Sequence, residues 1–160
     1  MSLDLSPFLK GATRVVVVGV GSEMLGDDAA GMEVVRKLKK TLRLRNVLLI
    51  EGGVSPENFA SRIRRFRPFR VVFIDATDFG AEPGDVILAE PGAIKGQSIS
   101  THTMPLSILA KYLQEQTSAR IALLGVQPEQ ARMGSEMSLA VKESVDRVVK
   151  ILAEELRSLT

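Results

Sequence analysis

Three side chains with metal-binding or acid–base chemistry lie at the ends of predicted strands. Asp28 follows the first apolar run, Asp75 lies in the third, and His102, the only histidine, lies in a later loop. Two carboxylates and one imidazole supply oxygen and nitrogen donors that suit nickel or zinc, and three protein ligands leave positions open for water or substrate. Such a site could polarise a peptide carbonyl, lower the pKa of a bound water, or recognise a metal already held by the substrate.

Each of these residues also has an ordinary structural interpretation. Asp28, like its neighbour Asp27, could cap a helix or interact favourably with its dipole. Asp75 could hydrogen-bond the turn that follows its strand, and a single histidine beside threonines is more often a satisfied loop residue than a ligand. Asp28 and Asp75 could also work as an acid–base dyad without metal, as in an aspartyl protease, because two close carboxylates can share one proton.

The elements that would position these residues alternate between strands and helices. Apolar runs predict strands over residues 14–20, 46–53, 70–78, 85–91 and 120–128. Amphipathic spacing and helix-starting prolines predict helices from the GDDAAG turn to Leu42 and over residues 56–66, 105–116 and 137–159. This alternation predicts one α/β domain over residues 1–160, a three-layer sandwich with a mostly parallel, twisted sheet of about five strands flanked by helices. In such sheets, ligands bind beyond the carboxyl ends of the strands, where the three candidate residues fall.

Composition argues against several other classes of protein. The absence of cysteine excludes a disulfide framework, a thiolate metal site and a thiol nucleophile. A net charge of +2 is too small to indicate a nucleic-acid partner. The sequence shows neither an apolar run long enough to cross a bilayer nor a signal peptide. We therefore expect a cytoplasmic protein without membrane insertion, for which a monomer is favoured.

The glycines after the first strand do not form a nucleotide-binding motif. Gly19 and Gly21 are followed by Met24 at the position where G-x-G-x-x-G requires its third glycine. We interpret Gly19 and Gly21 as part of a tight turn that lets the backbone lie close to a ligand. Serine catalysis is also disfavoured, because the sequence contains no G-x-S-x-G elbow.

Five motifs follow one another along the chain: VVVVGVGSEMLGDDAAG, EGGVSPEN, VVFIDATDFGAEPGD, THTMPLSILAKYL and LLGVQP. Taken together, these segments resemble the hydrogenase maturation proteases. The similarity extends from about Val15 to Val126 and is closest to the branch that serves formate-hydrogenlyase-type nickel–iron hydrogenases. Several motifs in the same order and spacing are far more specific than any one of them.

The resemblance implies an endopeptidase that removes the C-terminal extension of the hydrogenase large-subunit precursor after nickel insertion. The two acids and one histidine that bind the metal in this family match Asp28, Asp75 and His102. The implied cofactor is nickel supplied by the precursor, which would be the protein partner. Many relatives have glycine where this chain has Ala29, and we predict helical backbone there because alanine rarely adopts a positive φ.

Two other functions remain open on the sequence alone. The chain could be a non-catalytic assembly chaperone that binds nickel or the precursor, or a nickel-independent hydrolase on the same fold. A shortened product would distinguish an enzyme from a chaperone. A nickel requirement would distinguish a maturation protease from the other hydrolase.

Overall fold

Five main strands form one sheet in the computed structural model, which describes residues 3–91, 93, 97–98 and 104–159. They are β1 (Val15–Val20), β2 (Val47–Gly53), β3 (Arg70–Asp78), β4 (Val86–Ala89) and β6 (Arg120–Val126). Their spatial order is β2-β1-β3-β6-β4; only β4 is antiparallel to its neighbour on this path. A two-residue strand, β5 (Gln97–Ser98), pairs antiparallel with the end of β3. The predicted mostly parallel sheet is therefore confirmed.

Within the described residues, five α-helices accompany the sheet. They are α1 (Ser6–Leu9), α2 (Ala30–Thr41), α3 (Ala60–Phe66), α4 (Leu106–Thr117) and α5 (Leu139–Arg157). Two 3-10 turns, Gly26–Ala29 and Pro56–Phe59, lead directly into α2 and α3. None of the described helices is long and apolar enough to cross a membrane.

Two hydrophobic clusters cover the two faces of the sheet and produce three layers. Helices α2 and α5 pack on one face with Val72 and Ile74 of β3, whereas α3 and α4 pack on the other face with Val71 and Phe73. Because side chains alternate along a strand, odd-numbered positions of β3 face the α3/α4 layer. This alternation determines which layer each candidate side chain meets.

The apolar stripe predicted for the C-terminal helix faces the sheet. Val145, Val148 and Leu152 of α5 are almost completely buried in the cluster that α2 also covers. Full burial of side chains of this size contributes about 1.5–3 kcal/mol each to folding. Packing on the sheet therefore accounts for the stripe.

The parallel strands end at one rim of the sheet, here called the carboxyl rim. It comprises the carboxyl ends of β1, β2, β3 and β6, the loops that follow them, and the first turns of the helices that begin there. Helix α4 begins at this rim, because residues 118–119 join its far end directly to the start of β6. The topology thus brings the ends of widely separated segments to one edge.

Candidate functional site

Asp28 lies at the carboxyl rim, in the 3-10 turn that leads from β1 into α2. Its side chain is fully buried, and one carboxylate oxygen accepts a hydrogen bond of 2.8 Å from the backbone N–H of Ser22. The N-cap residues of the turn and of α2 are Leu25 and Ala29, so Asp28 caps neither. Ala29 has φ −76° and ψ −3°, which confirms the predicted helical backbone.

Close glycine contacts hold this turn against the ends of β1 and β3. A Cβ atom added to Gly31 would overlap the carbonyl oxygen of Ile74, and one added to Gly19 would overlap the carbonyl oxygen of Gly31. Gly21 has φ +126°, and its Cβ would overlap the carbonyl oxygen of Asp28. Only glycine permits such approaches. Gly19 and Gly21, which we predicted to lie near a ligand, therefore allow the α2 backbone to pack on the strand ends. Asp28 is brought there with it.

Asp75, the second candidate, lies within β3 and is fully buried. As an odd-numbered position it faces the α3/α4 layer, and its neighbour in the register of β6 is Gly125. Thr77 lies on the same face, 3% exposed, and its hydroxyl has no hydrogen-bond partner in the part of the chain that the structure describes. This face therefore carries the buried carboxylate of Asp75 and the buried hydroxyl of Thr77, next to Gly125, which has no side chain.

The turn after β3 is held by Asp78, the role that the sequence had offered for Asp75. The Asp78 carboxylate accepts hydrogen bonds of 3.1 Å from the side-chain amide of Gln127 and from the backbone N–H of Gly80. Both bonds lower the pKa of Asp78 below its ordinary value, and the bond from Gln127 has the larger effect. Gln127 also accepts hydrogen bonds from two backbone N–H groups of the same turn. Sequence reasoning missed this glutamine, which fixes the loop beyond Asp75.

His102, the third candidate, lies outside the described residues, so its place in the site stays a prediction. No three His, Cys, Asp or Glu side chains among the residues that the structure does describe form a group able to hold a metal. The next described residue along the chain is Met104, which packs against the cluster beneath α3 and α4. This is the face that carries Asp75.

A second buried acid, Asp27, joins the turn before α2 to the loop before α5. Its carboxylate accepts hydrogen bonds from the backbone N–H groups of Glu129 (2.8 Å), Gln130 (3.0 Å) and Ser138 (2.7 Å). The hydroxyl of Ser138 donates a fourth bond of 2.9 Å. Because Ser138 is the N-cap residue of α5, Asp27 stabilises the start of α5 and not the start of α2, the helix that it precedes. No local sequence signal could have identified these partners.

We expect Asp27→Asn to lower the free energy of unfolding by about 1–3 kcal/mol. The amide would turn an NH₂ group toward backbone donors, and at least one buried N–H would lose its acceptor. Ser138→Ala removes one donor and leaves the carboxylate satisfied by the others, so we expect a loss of about 1 kcal/mol or less. Urea unfolding followed by circular dichroism measures both variants. Equal losses would contradict this account of the carboxylate.

Comparisons with known proteins are consistent with one another. The family model HycI, described as hydrogenase maturation protease, matches residues 32–155. The chain is 35% identical over 138 residues to the hydrogenase 3 maturation protease of Escherichia coli K12, covering 86% of this chain and 87% of that protein. It is 35% identical over 158 residues to a putative hydrogenase maturation protease of Methanocaldococcus jannaschii, covering 94% and 93%.

A solved structure is similar over nearly the whole fold. The crystal structure of a NiFe hydrogenase maturation protease, HycI from Thermococcus kodakarensis KOD1, matches with a TM-score of 0.89 at 39% sequence identity. The match covers 96% of this chain and 99% of that one. The similarity therefore spans the whole arrangement of strands and helices that builds the carboxyl rim.

Proposed function

This chain belongs to the hydrogenase maturation protease family, and from that premise we propose that it removes the C-terminal extension of a nickel–iron hydrogenase large-subunit precursor after nickel insertion. Family membership makes it a hydrolase of peptide bonds and disfavours the chaperone alternative. One observation carries the finer proposal. The first turn of α2 packs on Ile74 of β3, and the two buried acids flank this contact: Asp28 just before α2 and Asp75 next to Ile74.

The donors at this rim fit nickel that the precursor carries. Oxygen donors combined with an imidazole suit a borderline divalent ion. Burial strengthens the attraction between a carboxylate and a cation, because the local dielectric constant is lower than that of water. A Cβ atom at Gly21 would lie 3.2 Å from Oδ1 of Asp28, so the glycine allows the loop after β1 to pass close to this carboxylate. The hydroxyl of Thr77 adds a further polar atom on the Asp75 face.

We assign His102 as the third member of the proposed site, with Asp28 and Asp75 as the other two. The packing of Met104 on the face that carries Asp75 supports this assignment, because two residues span at most about 7 Å. Helix α4, which begins at Leu106, starts at the same rim. The three residues are the proposed metal ligands and the proposed catalytic group.

In this proposal the C-terminal segment of the precursor lies across the carboxyl rim. Asp28, on the turn before α2, and Asp75, on β3, would contact the nickel of the precursor and so fix the scissile bond relative to the sheet. Nickel would supply Lewis-acid polarisation of the peptide carbonyl. Asp28 is held in the 3-10 turn before α2 and Asp75 within β3, so packed elements fix the backbone beneath both side chains.

Processing of the purified precursor tests this proposal. We expect the chain to remove a C-terminal peptide from the nickel-loaded large subunit and to leave the nickel-free form intact, with mass spectrometry as the measurement. Intact precursor in both reactions would contradict endopeptidase activity on this substrate. Cleavage of both forms at equal rates would instead favour the nickel-independent hydrolase.

A further inference from the structure

Exposed apolar side chains concentrate at the carboxyl rim. In the described part of the chain, five of the seven large apolar residues with exposed side chains lie in rim loops or in the first turns of helices that start there. These five are Met24, Val54, Ile108, Met133 and Leu139. Exposed apolar side chains that gather at one end of a protein can mark a contact with another protein. The distribution therefore points to a protein-binding surface around the proposed site.

Two of these residues, Met24 and Met133, lie on loops that are held side by side. The backbone N–H of Gly134 donates a hydrogen bond of 2.9 Å to the carbonyl oxygen of Met24. The buried carboxylate of Asp27 ties both ends of the second loop to the first, through the bonds from Glu129, Gln130 and Ser138 described above. The side chains are 64% and 70% exposed, although the backbone beneath them is fixed. We call these two residues the methionine pair.

Hydrogen bonds also connect the methionine pair to Asp28. The N–H of Ser22 donates to the Asp28 carboxylate, and the hydroxyl of the same serine accepts a bond of 3.2 Å from the N–H of Met24. A protein segment that approaches Asp28 from solvent therefore meets the loop that carries Met24.

Two charged neighbours of the methionine pair make contacts within the chain. Glu23 forms an ion pair of 2.6 Å with Arg36, and Arg132 donates a hydrogen bond of 3.1 Å to the side chain of Gln130. The thioethers themselves carry no charge, so a partner can cover them at little desolvation cost. Methionine side chains are flexible and polarisable, so they adapt to an apolar surface of irregular shape.

We propose that the methionine pair is a docking contact for an apolar surface of the large-subunit precursor, adjacent to the segment that is cut. This inference rests on the proposed function and adds the surface that recognises the substrate. A second copy of this chain bound to the same surface would obstruct the approach to Asp28. The precursor is therefore the occupant that is compatible with cleavage.

Steady-state processing by a double variant, Met24→Gln with Met133→Gln, tests the docking contact. Glutamine keeps the length of each side chain and removes its apolar end. We expect KM for the nickel-loaded precursor to rise about tenfold, the change that follows from losing about 1.4 kcal/mol of binding free energy. We expect kcat to change by less than about twofold, because the interaction is equally present in bound substrate and transition state. The unfolding temperature should stay unchanged, since both side chains are exposed.

Phe69→Gln is the matched control. Phe69 is an apolar residue, 50% exposed, that precedes β3 at the opposite end of the sheet. We expect its KM to equal that of the unsubstituted chain. An unchanged KM in the methionine variant, or an equal rise in the Phe69 variant, would overturn the docking proposal and leave the protease function standing.

Binding measured without cleavage separates the two proposals. We expect the Kd of an Asp75→Asn chain for the nickel-loaded precursor to rise about tenfold when both methionines are also replaced by glutamine. If the unsubstituted chain fails to cut the precursor but this rise is observed, the proposed function fails and the docking contact stands. An equal Kd with and without the methionines would overturn the docking contact.

Discussion

Asp75→Asn is expected to abolish processing of the nickel-loaded precursor while leaving the protein folded. Loss of an outer-shell partner of a metal ligand already costs about 10–100-fold in affinity or activity, so replacement of a proposed ligand should exceed about a hundredfold. Asparagine has nearly the same shape as aspartate, so the packing beside Gly125 is retained. The asparagine also fits the same fully buried space, which is why we expect the variant to remain folded.

The matched control for Asp75 is Asp78→Asn. Asp78 belongs to the same strand but holds the following turn, where Gln127 and Gly80 donate to its carboxylate. The amide oxygen of an asparagine can accept these bonds, so we expect near-normal processing. Cleavage rates are measured by mass spectrometry and folding by circular dichroism. If the Asp75→Asn chain trimmed the precursor as fast as the Asp78→Asn chain, Asp75 would not belong to the site.

The same reasoning extends to the other two members of the proposed site. We expect Asp28→Asn and His102→Ala to stop processing as well. Their effects should not add to that of Asp75→Asn, because residues that act as a unit are non-additive. A double variant that is no slower than either single variant is the expected result, again read from the mass of the product.

The positions of Asp28 and Asp75 could be anticipated because general rules of sheet topology act on local sequence patterns. β-Branched runs predicted β1 and β3, and the parallel arrangement placed their carboxyl ends at one edge. The two-residue β5 and the four-residue α1 carry too few residues to show a periodicity. The antiparallel direction of β4 depends on how its loops return, which hydrophobic patterning does not encode.

The roles of Asp27 and Gln127 could not be anticipated for a different reason. Asp27 and Asp28 are identical side chains in adjacent positions of the sequence. One binds donors up to 111 residues away, and the other faces the loop after β1. What separates them is the direction of each side chain in the 3-10 turn, which depends on the packed loops. Gln127 likewise acts through a turn 46–49 residues earlier in the chain.

A single methyl group at Gly31 is expected to impair processing without touching any proposed ligand. The Cβ atom of Gly31→Ala would overlap the carbonyl oxygen of Ile74 and lie 2.7 Å from that of Val20. Both obstacles are backbone atoms, so rotation of a side chain cannot relieve the overlap. The start of α2 must move away from the sheet, and Asp28, one turn earlier, moves with it. A displacement of about 1 Å can cost about a hundredfold in rate, and we expect a loss of this size.

The same steric overlap should also change the free energy of unfolding of the Gly31→Ala chain. In an unobstructed helix, alanine would stabilise the fold by about 1 kcal/mol relative to glycine. Overpacking a tight contact costs about 1–3 kcal/mol, so we expect net destabilisation here. Gly11→Ala is the control, because its Cβ meets nothing within 4 Å and its φ of +77° alone imposes a cost of about 1–2 kcal/mol. The Gly11 variant should lose stability but keep its cleavage rate. If both variants, compared where each is fully folded, cut the precursor equally fast, the contact between α2 and β3 does not position Asp28 for the reaction.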